Sequence, residues 1–149
     1  ALIQNEISVP GIDGRKMSKS YNNIIPFLCS EKDLQKAVSK IVTNSLEPGV
    51  PKDCNNCNLY ELYSLFGNAE QIASFKQAYS DGISWGDAKK ELFTVINNEI
   101  VPIREKYFEL NAQPDLLNDL FADGARKVRP QAQELIEKLR DLVGISKIV

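Results

Sequence analysis

Ser84-Trp85-Gly86-Asp87-Ala88-Lys89-Lys90-Glu91-Leu92-Phe93-Thr94-Val95-Ile96-Asn97-Asn98-Glu99-Ile100-Val101-Pro102-Ile103 is the stretch that decides the fold class. Ala88, Leu92, Val95, Ile96, Ile100 and Ile103 recur at helical steps and form one broad apolar face. Ser84-x-x-Asp87 supplies the start. Pro102 falls inside the pattern, so the spacing predicts the longest helix of the chain, kinked at Pro102 and not split there. Upstream, Asn68–Tyr79 reads as a short helix ending near Gly82. Asn58–Phe66, with Leu59, Leu62, Leu65 and Phe66, reads as another, closed by Gly67. Ser30-x-x-Asp33 resembles a capping box ahead of Leu34, Ala37, Val38, Ile41 and Val42 at helix spacing. Glu47-Pro48-Gly49-Val50-Pro51 cannot continue a helix and must be a connection. Downstream, Asp115–Phe121 is a short helix. A last helix runs from Asp123 or Pro130 to Val143, with Ala132, Leu135, Ile136, Leu139, Leu142 and Val143 facing inward and Gly144 as the stop.

Residues 1–28 differ in kind. Ile3, Ile7, Val9 and Ile12 mix with Pro10, Gly11 and Gly14, which reads as a short strand entering a loop. The expectation is a mainly α chain: a strand-and-loop remnant over 1–28, then a helical bundle-like domain over 29–149. An opening on Ala1 inside a strand-like stretch reads as a piece of something longer.

Composition narrows the chemistry. The 149 residues are 43% hydrophobic and 26% charged, enough for a buried core with an ordinary surface. No apolar run approaches the roughly 18 residues that span a bilayer, and the N-terminal stretch lacks the pattern of a secretory signal. A net charge of −2 leaves any RNA contact to a local basic face. The chain has no histidine, which removes the commonest general base and metal ligand. Its three cysteines, Cys29, Cys54 and Cys57, suggest a reducing cytoplasm.

Gly11-Ile12-Asp13-Gly14-Arg15-Lys16-Met17-Ser18-Lys19-Ser20 carries the chemical signal. Two glycines permit unusual backbone angles, and three cations within five residues, with hydroxyls beside them, suit phosphate oxygens. Lys16 and Lys19 can neutralise charge that moves onto a departing pyrophosphate, while Ser18 and Ser20 add hydrogen bonds.

Lys16-Met17-Ser18-Lys19-Ser20 matches letter for letter the signature of class I aminoacyl-tRNA synthetases. Pro10–Arg15 before it and Tyr21–Ile25 after it resemble the bacterial tryptophanyl-tRNA synthetases. So do Thr43-Asn44-Ser45 with Glu47-Pro48-Gly49, Trp85–Lys90, Pro102–Lys106 and Gly124–Arg129. The resemblance implies a family that activates tryptophan with Mg-ATP to the adenylate and pyrophosphate, then loads it onto its tRNA. It maps Lys16 and Lys19 onto the catalytic lysines that hold the triphosphate, Lys19 being the stronger stabiliser. It assigns ATP binding to Ile7, Lys16, Met17, Ser18, Lys19 and Ser20, with no metal bound by the chain itself. It places 1–28 at the edge of a Rossmann-type nucleotide-binding domain and 29–149 in an anticodon-binding domain. The family's His-containing signature, its tryptophan pocket and most of its parallel sheet are absent. Inactivity of the 149 residues alone is therefore expected, with a mobile loop, a homodimer in the full-length protein and a fragment that can be monomeric.

Two other constellations are weaker. Cys54-Asn55-Asn56-Cys57 has only Cys29 as a third thiol, short of the four ligands a metal or cluster site needs, so free thiols are expected. Lys89, Lys90, Arg104, Arg126 and Arg129, with Lys106 and Lys127 nearby, are candidates for a tRNA-facing surface, although singly each reads as a solvated helix residue. Trp85, Tyr60, Tyr63, Tyr79 and Tyr107 are expected in the core. The alternatives are a tyrosyl-tRNA synthetase fragment and a stand-alone RNA-binding or interaction module.

Overall fold

The computed structural model describes residues 8–145. In order along the chain it contains a 3-10 turn, Lys19–Tyr21, and five helices: α1 (Glu31–Ser39), α2 (Asn58–Phe66), α3 (Ala69–Ser80), α4 (Trp85–Asn111) and α5 (Pro114–Leu142). The mainly α expectation holds. The start of the expected strand, at Ile3 and Ile7, lies outside the described residues, which carry one isolated antiparallel bridge between Pro10 and Lys16. Residues 1–105 and 106–149 form two compact units.

In the first unit, local sequence sets the helix starts. The Ser30 hydroxyl oxygen accepts the Asp33 amide at 3.1 Å, which satisfies one of the amides that a helix N-terminus leaves unpaired. Asn68 and Gln71 make a reciprocal capping box at the head of α3. Ser84 accepts from the Asp87 amide at 3.0 Å and donates to its carboxylate at 2.6 Å. α1 stops at Ser39, short of the expected Val42. The reason is tertiary: the Val42 amide pairs with the Ile12 carbonyl at 2.8 Å, outside any helix, and its side chain stays exposed while Ile41 is buried.

The core joins Leu34, Val38 and Ile41 to Leu59, Leu62 and Tyr63 of α2, Phe75 and Tyr79 of α3, and Ala88, Leu92, Val95, Ile96 and Ile100 of α4. Ile25, Ile12 and Met17 from the loop region pack on the same cluster. Tyr63 and Phe75 stack at 3.8 Å between ring centroids, and Trp85 meets Tyr79 edge-on at 5.8 Å. Tyr60, Tyr63, Tyr79 and Trp85 thus belong to or border the core as expected, whereas Tyr107, in the second unit, is exposed. The expected apolar face of α4 ends one residue differently. Ile103 is exposed and Arg104 takes the buried position, four residues after Ile100. The helix runs through Pro102 as one element.

The connection at 47–51 is closed by a close backbone approach. Gly49 donates its amide to the Gly82 carbonyl at 2.8 Å, and Gly82 has φ +84°. A Cβ on Gly82 would lie 2.4 Å from the Gly49 carbonyl carbon, so both the angle and the space require glycine. Buried Lys52 donates from Nζ to the Val50 carbonyl at 3.1 Å, with its ammonium 5.2 Å from the Trp85 ring centre.

The second unit holds the end of α4 and all of α5. The expected pair of helices after residue 114 is one helix of 29 residues, so α5 and not the 27-residue α4 is the longest. Pro130 sits inside it, costing one backbone bond without ending the element. Asp123–Arg126 and Glu134–Lys138 pairs lie on either side of Pro130. The expected inward face of this helix is also corrected: Leu135, Ile136, Leu139, Leu142 and Val143 are all exposed, and α5 buries no residue. Gly144 does stop the helix, with φ +72° and the paired bonds Ile145 N–H to Arg140 C=O and Gly144 N–H to Asp141 C=O.

Candidate functional site

The Pro10–Asn23 loop folds back on itself through backbone bonds. Gly11 N–H donates to Arg15 C=O at 2.7 Å, Gly14 N–H to Gly11 C=O at 3.1 Å, and Met17 N–H to Val9 C=O at 2.8 Å. Gly14 turns the chain with φ +83°. Two ties fasten it to the helical part of the unit: Val42 N–H, just past the end of α1, to Ile12 C=O, and Asn58 Nδ2, at the head of α2, to Gly11 C=O at 2.8 Å.

Asn23 occupies the middle of this turn and is 1% exposed. Its Oδ1 accepts the Ser18 amide at 2.8 Å. Its Nδ2 donates to Asp13 Oδ1 at 2.7 Å and to the Lys16 carbonyl at 3.2 Å. Its own carbonyl accepts from Ile12 N–H at 2.9 Å. The hydrogen bond from Asn23 is the main reason the Asp13 carboxyl titrates below its ordinary range, with Arg15 adding to it against a smaller effect of burial. Sequence reasoning passed over Asn23 and Asp13 as actors, because a single buried carboxamide leaves no periodic or spacing signal.

The three loop cations separate into two kinds. Arg15 is committed: Nη2 lies 2.6 Å from Asp13, and the guanidinium stands 4.7 Å from the Tyr21 ring centre. Lys16 and Lys19 are exposed, and neither enters an ion pair among the described residues. Ser18 caps the 3-10 turn. Its hydroxyl accepts from Ser20 N–H at 3.3 Å and lies 2.8 Å from the Ser20 hydroxyl. Met17 is half-buried against the core. Two ammonium groups and two hydroxyls are thus offered on a backbone held from beneath, an arrangement suited to a polyphosphate. Ile7 lies outside the described residues.

The basic residues of the helices do not form one set. Lys89 donates to the Ser39 carbonyl at 2.9 Å, capping the end of α1, and partial burial lowers its pKa. Lys90 pairs with Asp87 at 2.9 Å. Arg104 is buried, with Nη2 2.7 Å from Asn97 Oδ1 and its Nε without a partner among the described residues. Burial takes Arg104 off the exposed surface on which a tRNA-facing role was expected. In the second unit Arg126 pairs with Asp123, and Arg129 lines a shallow groove with Gln133, Ile136 and Arg140. Cys29, Cys54 and Cys57 are free thiols, with Cys57 Sγ 3.4 Å from the Tyr79 hydroxyl. Burial raises the Cys29 and Cys54 thiols and the Tyr79 phenol. Among the described residues no three His, Cys, Asp or Glu side chains gather as metal ligands, and no helix is long and apolar enough to cross a membrane.

The helical fold with its phosphate-suited loop is that of a known family, and the chain belongs to it: residues 1–100 match the model of tRNA synthetases class I (W and Y). The relatives narrow the likeness to the tryptophan branch. The chain is 44% identical to the tryptophan–tRNA ligase of Pseudomonas aeruginosa over 97% of its own length and 32% of that protein. It is 47% identical to the one from Neisseria meningitidis serogroup A over 91% of this chain and 40% of that protein. Among solved structures it superposes on tryptophanyl-tRNA synthetase from Campylobacter jejuni, crystallised with ADP and tryptophan, with a TM-score of 0.87. That likeness has 38% identity and covers 95% of this chain and 45% of the other. The chain therefore spans about a third to two fifths of the length of these curated relatives.

Proposed function

We propose that this chain is the C-terminal part of a tryptophan–tRNA ligase and supplies the loop that stabilises the transition state of tryptophan activation. In that step a carboxylate oxygen of tryptophan attacks the α-phosphorus of ATP. The bond to the bridging oxygen breaks, and negative charge moves onto pyrophosphate. Lys16 and Lys19 meet that charge, Ser18 and Ser20 bond the phosphate oxygens, and the Met17 backbone and the segment near Ile7 approach the adenosine. The observation that carries this reading is the separation of the cations: Asp13 holds Arg15, while among the described residues Lys16 and Lys19 enter no ion pair and stand on a braced backbone. Mg2+ enters with ATP as part of the substrate.

Residues 1–28 then belong to the edge of the nucleotide-binding domain and 29–149 to the anticodon-binding domain. Lys90, Arg126 and Arg129 would face tRNA(Trp), while Lys89 and Arg104 serve inside the first unit. The full-length enzyme is a cytoplasmic homodimer. The 149 residues alone carry no exchange activity, because the rest of the nucleotide site must close on the loop for reaction.

The test is Lys19→Ala in the full-length enzyme. Adenylate formation should slow by roughly 10²–10³, the cost of one preorganised charge donor, with tryptophan binding little changed. Near-normal ATP–pyrophosphate exchange in that variant would remove Lys19 from the mechanism. Tryptophan-dependent exchange by the isolated 149 residues would remove the claim that they are inactive alone.

A further inference from the structure

We infer that Asn23 is the positioning residue of this loop: its buried carboxamide sets the backbone track on which Lys16, Ser18 and Lys19 meet the triphosphate. The inference rests on the reading of the loop proposed above. Asn23 follows the Lys16–Ser20 run by three residues and faces the loop from below. Its Oδ1 takes the Ser18 amide in the middle of the run, and its Nδ2 takes the Lys16 carbonyl at the start of it. The second acceptor of Nδ2, Asp13, is the group that occupies Arg15. One side chain thus fixes where the run enters and turns, and it also orients the carboxylate that keeps Arg15 apart from the two lysines.

The geometry leaves little choice of residue. The position needs an acceptor on one atom and a donor on the other, within a four-atom planar group. Aspartate accepts but does not donate, and it would set a second carboxylate against Asp13. Leucine does neither. The space is equally specified. A Cβ on Gly11 would lie 2.4 Å from both Cγ and Nδ2 of Asn23, so Gly11 is the clearance that lets the carboxamide in. The lysine stems are long and flexible, and their ammonium positions are only as good as the backbone that carries them. A misplacement of about 1 Å in such a step costs on the order of 100-fold in rate.

The experiment is a substitution at Asn23 in the full-length enzyme. Asn23→Asp should lower kcat for tryptophan-dependent ATP–pyrophosphate exchange about 100-fold while KM for ATP stays within about threefold, because alignment is lost and ground-state binding is not. Asp13→Asn keeps an acceptor for Asn23 Nδ2 but removes the carboxylate that holds Arg15, and it should lower kcat less than N23D does. A residue needed only for folding would lower the melting temperature without splitting kcat from KM. Normal kcat in N23D, or a loss confined to KM, would overturn the inference. Should N23D be too unstable to assay, Asn23→Ala, which adds no second carboxylate, decides alone: kcat lowered at least about tenfold at near-normal KM for ATP supports the inference, and normal kcat overturns it. If the unsubstituted enzyme shows no tryptophan-dependent exchange, the proposed function fails first and this inference falls with it.

Discussion

At the scale of single residues, the Asp13 carboxyl reports directly on the Asn23 brace. Its folded value lies below the ordinary 3.8, so the bracing is fully present above about pH 4 and is lost as the pH falls through the lowered value. A carbon-detected NMR titration of the 149-residue chain should place Asp13 below 3.8. Asn23→Ala, which removes the largest cause, should bring it back up. An unmoved Asp13 midpoint in that variant would contradict the network described. Gly11→Ala drives a Cβ into the Asn23 carboxamide, so urea denaturation should show a loss of roughly 1–3 kcal/mol, the usual cost of forcing atoms into a packed site. The Lys16–Ser20 run was legible in the sequence because its cations and hydroxyls are contiguous. Asn23, Asn58 and Lys52 were not. Apart from the Asp13 carboxylate that Asn23 also meets, their partners are backbone carbonyls and amides, and no spacing rule marks them.

At the scale of elements, helix starts were readable and helix ends less so. Ser30, Asn68 and Ser84 cap their helices through bonds to residues three positions on, information contained within four letters. The end of α1 depends on Ile12, thirty residues upstream, which takes the Val42 amide. Local breakers misled at α5, where Gly124 and Pro130 weaken a helix without interrupting it. Gly124→Ala meets nothing within 4 Å and should stabilise α5 by about 1 kcal/mol, read as a higher melting temperature of the helical signal at 222 nm. A destabilised variant would mean that α5 is not continuous there. The opposite sign is expected for Phe75→Ala. Phe75 is buried and stacks on Tyr63, so calorimetric or denaturant unfolding should show a loss of about 3–5 kcal/mol. A loss under 1 kcal/mol would contradict the packing of α2 against α3.

At the scale of the molecule, the first unit supports a loop, and the loop gives the chain its chemistry. Ile12, Met17 and Ile25 pack on the core formed by α1 to α4, so the phosphate-suited face rests on the helical core. The mainly α class and the family were visible in sequence, the first from helical spacing and the second from the contiguous motif. The exposed face of α5 was not, because an apolar stripe at helical spacing signals a buried face without saying what covers it. The central claim, that this loop belongs to an enzyme that activates tryptophan, is tested most directly by amino-acid-dependent ATP–pyrophosphate exchange with the full-length protein. Exchange driven by tryptophan and not by tyrosine is the expected result. Exchange driven by tyrosine, or by neither amino acid, would contradict the claim.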